Sequence, residues 1–306
     1  MRAEGGPVRV AVIGIGSNSV RLLVADCRHG DYRVVLRDRC GTRLFAGLQN
    51  GELSAQSMEG SCTAACGMAL RARALGATEI HAFATSAARD ATNGEEFRDM
   101  LRERSELELY ICTGEEEARL SYYGAARPGL CGMIDIGGGS TEWTIGRDGV
   151  PLAAISLQIG AVRLHRMLDI AGAGDLPAAV ARAQEALTPG LCALAAAPPP
   201  PVWIGVGGTF TTLAAMDMQL PSFDRTLVEG YALREERVRH WAGALADMPV
   251  EARRALPGLQ PQRADIVVHG IAVLLASFGM LGFDAITVSD HGNLDGYLRS
   301  AMGYLP

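Results

Sequence analysis

Met133-Ile134-Asp135-Ile136-Gly137-Gly138-Gly139-Ser140-Thr141-Glu142-Trp143-Thr144-Ile145 decides how this chain folds. An apolar run from Gly132 ends at Ile136, three glycines interrupt it, and Trp143 and Ile145 resume an alternating pattern. That order reads as strand, tight turn, strand. Glycines let a backbone approach a ligand closely. Consecutive exposed N–H groups form a concave anion site. Asp135 and Glu142, on the two shoulders, would repel an anion unless a divalent cation lay between them and it. The stretch therefore points to a phosphate-plus-Mg²⁺ site, with a Gly-rich hairpin carrying two solvated acids as the bland alternative.

The same pattern occurs earlier. Val8 to Ile15 is apolar, Gly16-Ser17-Asn18-Ser19 follows, and Val20 to Ala25 resumes as a strand. Laying Ile13–Ser19 on Ile134–Ser140 pairs Ile13 with Ile134, Ile15 with Ile136, Gly16 with Gly137 and Ser19 with Ser140. A repeat of this kind predicts two related halves facing a cleft. Gly14 stands where the second half has Asp135. A third strand, Val202 to Val206, runs into Gly207-Gly208-Thr209 and then a helix, whose N-terminus suits an anion.

Between these lie strands at Tyr32–Asp38, Thr42–Leu44 and Glu79–Ala84, and a helix over Ser54–Leu75 with Ser54 as its cap. Thr85-Ser86 and Arg89 follow the strand at Glu79–Ala84, an arrangement that suits phosphate-facing chemistry. A helix opens at Thr113-Gly114-Glu115-Glu116-Glu117. The helix dipole accounts for Glu115 and Glu116, whereas Glu117 lies deeper. Leu233 to Asp247 reads as an amphipathic helix, and Ala285–Val288 as a strand before a last helix near Asn293.

Composition narrows the function. The 306 residues favour two domains. A net charge of −6 argues against a general nucleic-acid surface. There is no lysine: all 28 basic residues are Arg. A Walker lysine and any Schiff base are thereby excluded. Phosphate must be held by Arg forks, backbone N–H groups and hydroxyls. The seven cysteines are scattered, as in a reducing, cytoplasmic setting. Residues 1–7 lack a secretion signal pattern. Ile266–Phe283 is interrupted by His269, Ser277 and glycines, which favours a buried helix over a membrane span. The histidines show no metal-ligand spacing, and no nucleophile elbow occurs.

Six segments together resemble the exopolyphosphatase / guanosine pentaphosphate phosphohydrolase family, within the actin-like, sugar-kinase-like ATPase superfamily. They are residues 16–24, 84–91, 113–120, 134–142, 205–209 and 263–266, in order along the chain. The resemblance implies an α/β fold of two ribonuclease-H-like (actin-like ATPase) domains. Each would be a five-stranded mixed sheet with flanking helices, with the active site in the cleft. The expected division is 1–125 and 126–306.

It also implies Mg²⁺-dependent hydrolysis of a terminal phosphoanhydride of inorganic polyphosphate, releasing orthophosphate, with a homodimer as the expected assembly. Residues 16–19 (Gly16, Ser17, Asn18, Ser19) and 137–141 (Gly137, Gly138, Gly139, Ser140, Thr141) would cradle phosphate. Gly207, Gly208, Thr209 and Arg263 would bind further phosphates or a guanosine. Asp135 and Glu142 would hold the metal, Glu117 would act as general base on water, and Arg89 would pair with phosphoryl oxygens.

Two positions depart from the pattern. Gly14 replaces a usual acid, so an Asp restored there is expected to raise activity or Mg²⁺ affinity. Gly292-Asn293-Leu294-Asp295-Gly296 replaces a usual Gly-Leu-Arg-(Asp/Glu)-Gly, which removes a cation for which Arg299 is a possible substitute. Guanosine pentaphosphate hydrolysis and a catalytically impaired polyphosphate- or alarmone-binding protein therefore stand as alternatives.

Overall fold

The computed structural model describes residues 6–305. Two mixed sheets carry the chain. The first is built from β1 (Val8–Ile15), β2 (Ser19–Arg28), β3 (Asp31–Gly41), β4 (Glu79–Ala84) and β5 (Leu109–Ile111), in the order β3-β2-β1-β4-β5. The second comprises β6 (Leu130–Ile136), β7 (Thr141–Arg147), β8 (Val150–Leu157), β9 (Trp203–Val206), β10 (Ala232–Arg234) and β11 (Ala285–Ser289). Its order is β8-β7-β6-β9-β11-β10. In both, the first three strands form an antiparallel meander and the next two add in parallel. The repeat seen in the sequence is thus a repeat of topology.

Two local expectations need correction. The second sheet has a sixth strand, β10, antiparallel on its edge. Leu233 and Arg234 were expected to open the helix that begins only at Glu235. Thr42–Leu44 is not a strand. Arg43 adopts a left-handed conformation (φ 55°), and the Thr42 and Arg43 N–H groups both donate to the Asn18 carbonyl. The chain therefore folds back onto the first Gly-turn.

The longer helices, together with the one-turn α2, are α1 (Ala55–Ala74), α2 (Ser86–Arg89), α3 (Gly94–Ser105), α4 (Gly114–Ala125), α5 (Ala161–Met167), α6 (Leu176–Leu194), α7 (Gly208–Asp217), α8 (Glu235–Ala246), α9 (Val267–Leu281) and α10 (Asn293–Ala301). Ser54 caps α1 by accepting from the Ser57 N–H. The apolar α9 is buried along most of its length, against α6 and α8. Among the described residues, no helix is long and apolar enough to cross a membrane.

α4 and α10 position the site. α10 ends the chain yet packs on the first sheet: Leu294 and Leu298 share a core with Val10, Val12 and Phe83. The two helices meet backbone to backbone. A Cβ at Gly296 would lie 1.8 Å from the Leu120 carbonyl oxygen, and one at Gly124 would lie 2.0 Å from that of Gly292. Gly296→Ala is therefore expected to cost about 1–3 kcal/mol through overpacking. Gly243→Ala, on α8 with nothing within 4 Å, is the control and should be neutral or stabilising. Thermal midpoints of the two variants check this, and equal midpoints would sink it.

Candidate active site

The two Gly-turns are built alike. Gly16 N–H donates to Ser19 O, and Gly137 N–H to Ser140 O, each at 3.0 Å. The amides of Ser17, Asn18, Gly138 and Gly139 then have no partner among the described residues. The turns face each other across the cleft so closely that a Cβ on Gly138 would meet the Ser17 Cβ at 2.9 Å. Only glycine permits that approach. Gly207, at φ +96°, opens α7 without a side-chain cap, which adds a third set of helix-start amides.

A cavity of about 80 Å³ lies between them. Of the residues expected from the sequence, Gly16, Ser17, Asn18, Ser19, Gly137, Gly138, Ser140, Gly207, Gly208, Thr209, Arg263, Glu117 and Asp135 line it. Gly139, Thr141, Glu142 and Arg89 do not. Gly139 is pressed on Ser17, Ser86 and Phe45. Thr141 is buried and donates to the Ile159 carbonyl at 2.6 Å. Arg21, Thr85, Ser86 and Asn293 also line the cavity. Thr85 and Ser86 were legible as a hydroxyl cluster at a strand end, but Arg21 sits inside an apolar strand and gave no signal.

The acidic helix start resolves into three roles. Glu115 pairs with Arg119 on the surface at 2.7 Å. Glu116 closes a capping box, its carboxylate accepting from the Thr113 N–H at 2.8 Å. Glu117 alone turns inward, 6% exposed, with Arg89 Nη1 at 2.8 Å from its Oε2. Burial raises its pKa, Arg89 counteracts that, and Asp135 adds repulsion.

Asp135 and Glu142 are direct cross-strand partners in the β6–β7 register, so their side chains share one face. Ser121 Oγ donates to Asp135 at 2.7 Å and Ser156 Oγ to Glu142 at 2.7 Å. Burial pushes both carboxyls up, and Glu142 is pushed further by Glu117 and Asp135. Like charges opposed on a sheet destabilise it. Buried carboxylates so placed stay ionised together only beside a cation. Among the described residues, no group of three or more carboxylate, imidazole or thiolate ligands is assembled for a metal. A cation here would have at most a few protein oxygens, its other ligands coming from phosphate and water. That donor set fits a hard divalent cation that keeps water and phosphate ligands rather than a metal that needs a full protein cage.

The opposite wall is basic. Arg263 is half-buried, its Nε has no partner, and burial, then Arg39 and Arg21, drive its pKa well below the ordinary value. Arg21 donates only to Asn293, at 2.8 Å, and Arg39 only to Gln260. Among the described residues, these three guanidinium groups have no carboxylate partner. A second cavity of about 550 Å³ continues outward past Arg21, Arg39 and Arg263 to Arg225 and Phe223.

The profile of the Ppx/GppA phosphatase family matches residues 23–305. The chain belongs to that family. Exopolyphosphatase 2 of Mycobacterium tuberculosis is 32% identical, over 96% of this chain and 99% of that protein. A solved exopolyphosphatase-like protein is 29% identical with a TM-score of 0.88, covering 96% of this chain and 98% of the other. The Aquifex aeolicus member of the Ppx/GppA family is 28% identical with a TM-score of 0.81, over 96% and 97%. The two-sheet architecture is therefore that of the family.

Proposed function

We propose that this chain is an exopolyphosphatase, hydrolysing the terminal phosphoanhydride of inorganic polyphosphate. The convergence of Arg21, Arg39 and Arg263 with no carboxylate in contact carries the reading. Three guanidinium groups held together need an anion between them. The continuous outer cavity gives a polymeric anion a path. The exopolyphosphatase name of the M. tuberculosis relative supports the same substrate class.

In this reading the two halves, 1–125 and 126–306, close on the substrate, with α10 packed back on the first sheet. The free amides of residues 17–18 and 138–139 hold the terminal phosphoryl group. Glu117 orients a water and takes its proton. Arg89 holds the Glu117 carboxylate rather than the phosphate. Asp135 and Glu142 would hold Mg²⁺, which when bound neutralises phosphate and developing transition-state charge. Arg21 and Arg263 grip the following phosphates.

The test is orthophosphate release from polyphosphate with Mg²⁺ titrated. Absence of metal-dependent release overturns the reading. Guanosine pentaphosphate is the second substrate to assay, because Phe223 in the outer cavity offers a face for a base. Arg263→Gln is expected to raise KM for polyphosphate by roughly 10–100-fold, the loss of one charge-assisted contact of about 1.5–3 kcal/mol. Initial rates against substrate concentration check it, and an unchanged KM would remove Arg263 from the binding wall.

A further inference from the structure

A line of alternating charge runs from α5 into the cleft. Arg163 Nε donates to the Gly139 carbonyl at 2.6 Å, and its Nη2 donates to the Asp90 carboxylate and to Gln158 at 2.8 Å. Its guanidinium stacks on Phe45, 4.7 Å from the ring centroid. The other Asp90 oxygen faces Arg89 Nε at 3.8 Å, and Arg89 holds Glu117 at 2.8 Å. One side chain thus touches the second phosphate turn and the acid beside the Arg89–Glu117 pair. Its stacking partner Phe45 is tied by its N–H to Ser17 O, at 2.9 Å, on the first turn.

We propose that Arg163 is a positioning residue that fixes the phosphate turn at Gly137–Ser140 relative to the Arg89–Glu117 pair. The proposal rests on the exopolyphosphatase reading for its chemistry. Its geometry stands on the contacts alone. The groups facing Arg163 come from three segments: Asp90 after α2, Gly139 on the turn, and Gln158 before α5. Holding α5 in place does not require it. Ala161 and Val162 are buried in the first core, and Arg166 donates to the Phe45 and Leu48 carbonyls. Arg166 also lies over the same ring, at 5.7 Å, yet touches neither Gly139 nor Asp90. It is the natural control: same helix, same ring, no contact with Gly139 or Asp90.

A turn that shifts by an ångström misplaces the phosphoryl group relative to the water, a displacement worth about 10²-fold in rate. Arg163→Met is therefore expected to lower kcat by roughly 10–100-fold with KM within about threefold. Arg163→Lys should recover part of kcat, because a single ammonium contacts one partner at a time where the fork contacts several. Arg166→Met should lower the thermal midpoint and leave kcat within about threefold.

Hydrogen exchange reads the geometry without turnover. The amides of Gly137, Ala161 and Val162, which donate to carbonyls of the turn, should exchange faster in Arg163→Met than in wild type or Arg166→Met. Unchanged exchange there, or equal effects of the two Met variants on kcat, overturns the proposal. If wild type releases no orthophosphate, the exopolyphosphatase reading fails, while the exchange comparison still decides whether Arg163 holds the turn.

Discussion

Glu117→Gln is expected to lower kcat for orthophosphate release by roughly 10²–10⁴-fold, the usual contribution of a positioned general base. At about 1.36 kcal/mol per decade, that is about 3–5 kcal/mol of barrier. The geometry explains why this carboxylate and no neighbour carries the effect. Glu115 and Glu116 are engaged on the surface, by Arg119 and by the Thr113 cap. Glu117 lines the cavity, and its burial raises its basicity while Arg89, 2.8 Å away, favours the ionised form.

Gln keeps the shape and loses the base. It also leaves the Arg89 guanidinium buried without its anion, so some stability is lost as well. The measurement must therefore separate the two effects. Polyphosphate affinity of Glu117→Gln by calorimetry should stay close to wild type while turnover collapses. A variant that turns over within tenfold of wild type would remove Glu117 as the base. One that neither binds nor turns over would show a structural role instead.

The parts of this site legible in the sequence are those whose geometry is local. A strand that breaks into glycines and small hydroxyls and then resumes as a strand has few conformations open to it. The turns at 16–19 and 137–140 were accordingly readable, down to their equivalence. Glu117 was separable from its neighbours because the helix dipole accounts for the first turn and not for a residue beyond it.

What escaped depends on partners distant in the chain. Arg21 lies in an apolar strand, and only the sheet register and the return of α10 turn it toward the cleft beside Asn293. Arg89 reads as a phosphate ligand by its position after a strand; its Nη1 pairs with a carboxylate 28 residues later, and its Nη2 has no partner among the described residues. The edge strand β10 is three residues long and exists because β11 offers it an open edge, so its own pattern merges into the next helix. Glu142 is acidic in sequence and cross-strand to Asp135 in space, but it does not reach the cavity wall.

The two positions expected to depart from the family pattern adjoin each other. A Cβ at Gly14 would lie 3.2 Å from Leu294 and 3.1 Å from Phe83. The missing acid and the missing cation therefore adjoin each other, and an expected pair of opposite charges is replaced by apolar packing under α10. Arg299 does not stand in for the cation, since its guanidinium lies over Tyr32, 5.2 Å from the ring centroid. Arg37 and His291 instead serve the loop acid: burial opposes the Asp295 charge, but they hold its pKa well below the usual range.

The expectation that Gly14→Asp strengthens cation binding changes accordingly. The new carboxylate would be buried against Phe83 and Leu294. Arg21, its cross-strand partner, is the cation that would be drawn to it, away from the proposed phosphate wall. Gly14→Asp is expected to cost about 3–5 kcal/mol, as for a buried charge without its partner, and to raise KM for polyphosphate. Leu294→Arg alone should cost a similar amount for the same reason. Together they restore the pair, so the double variant should be more stable than the sum of the singles by more than about 1 kcal/mol. Unfolding midpoints for wild type, both singles and the double give that coupling directly. A coupling near zero, or a Gly14→Asp single that turns over faster than wild type, would mean that position 14 acts on the cleft and not through α10.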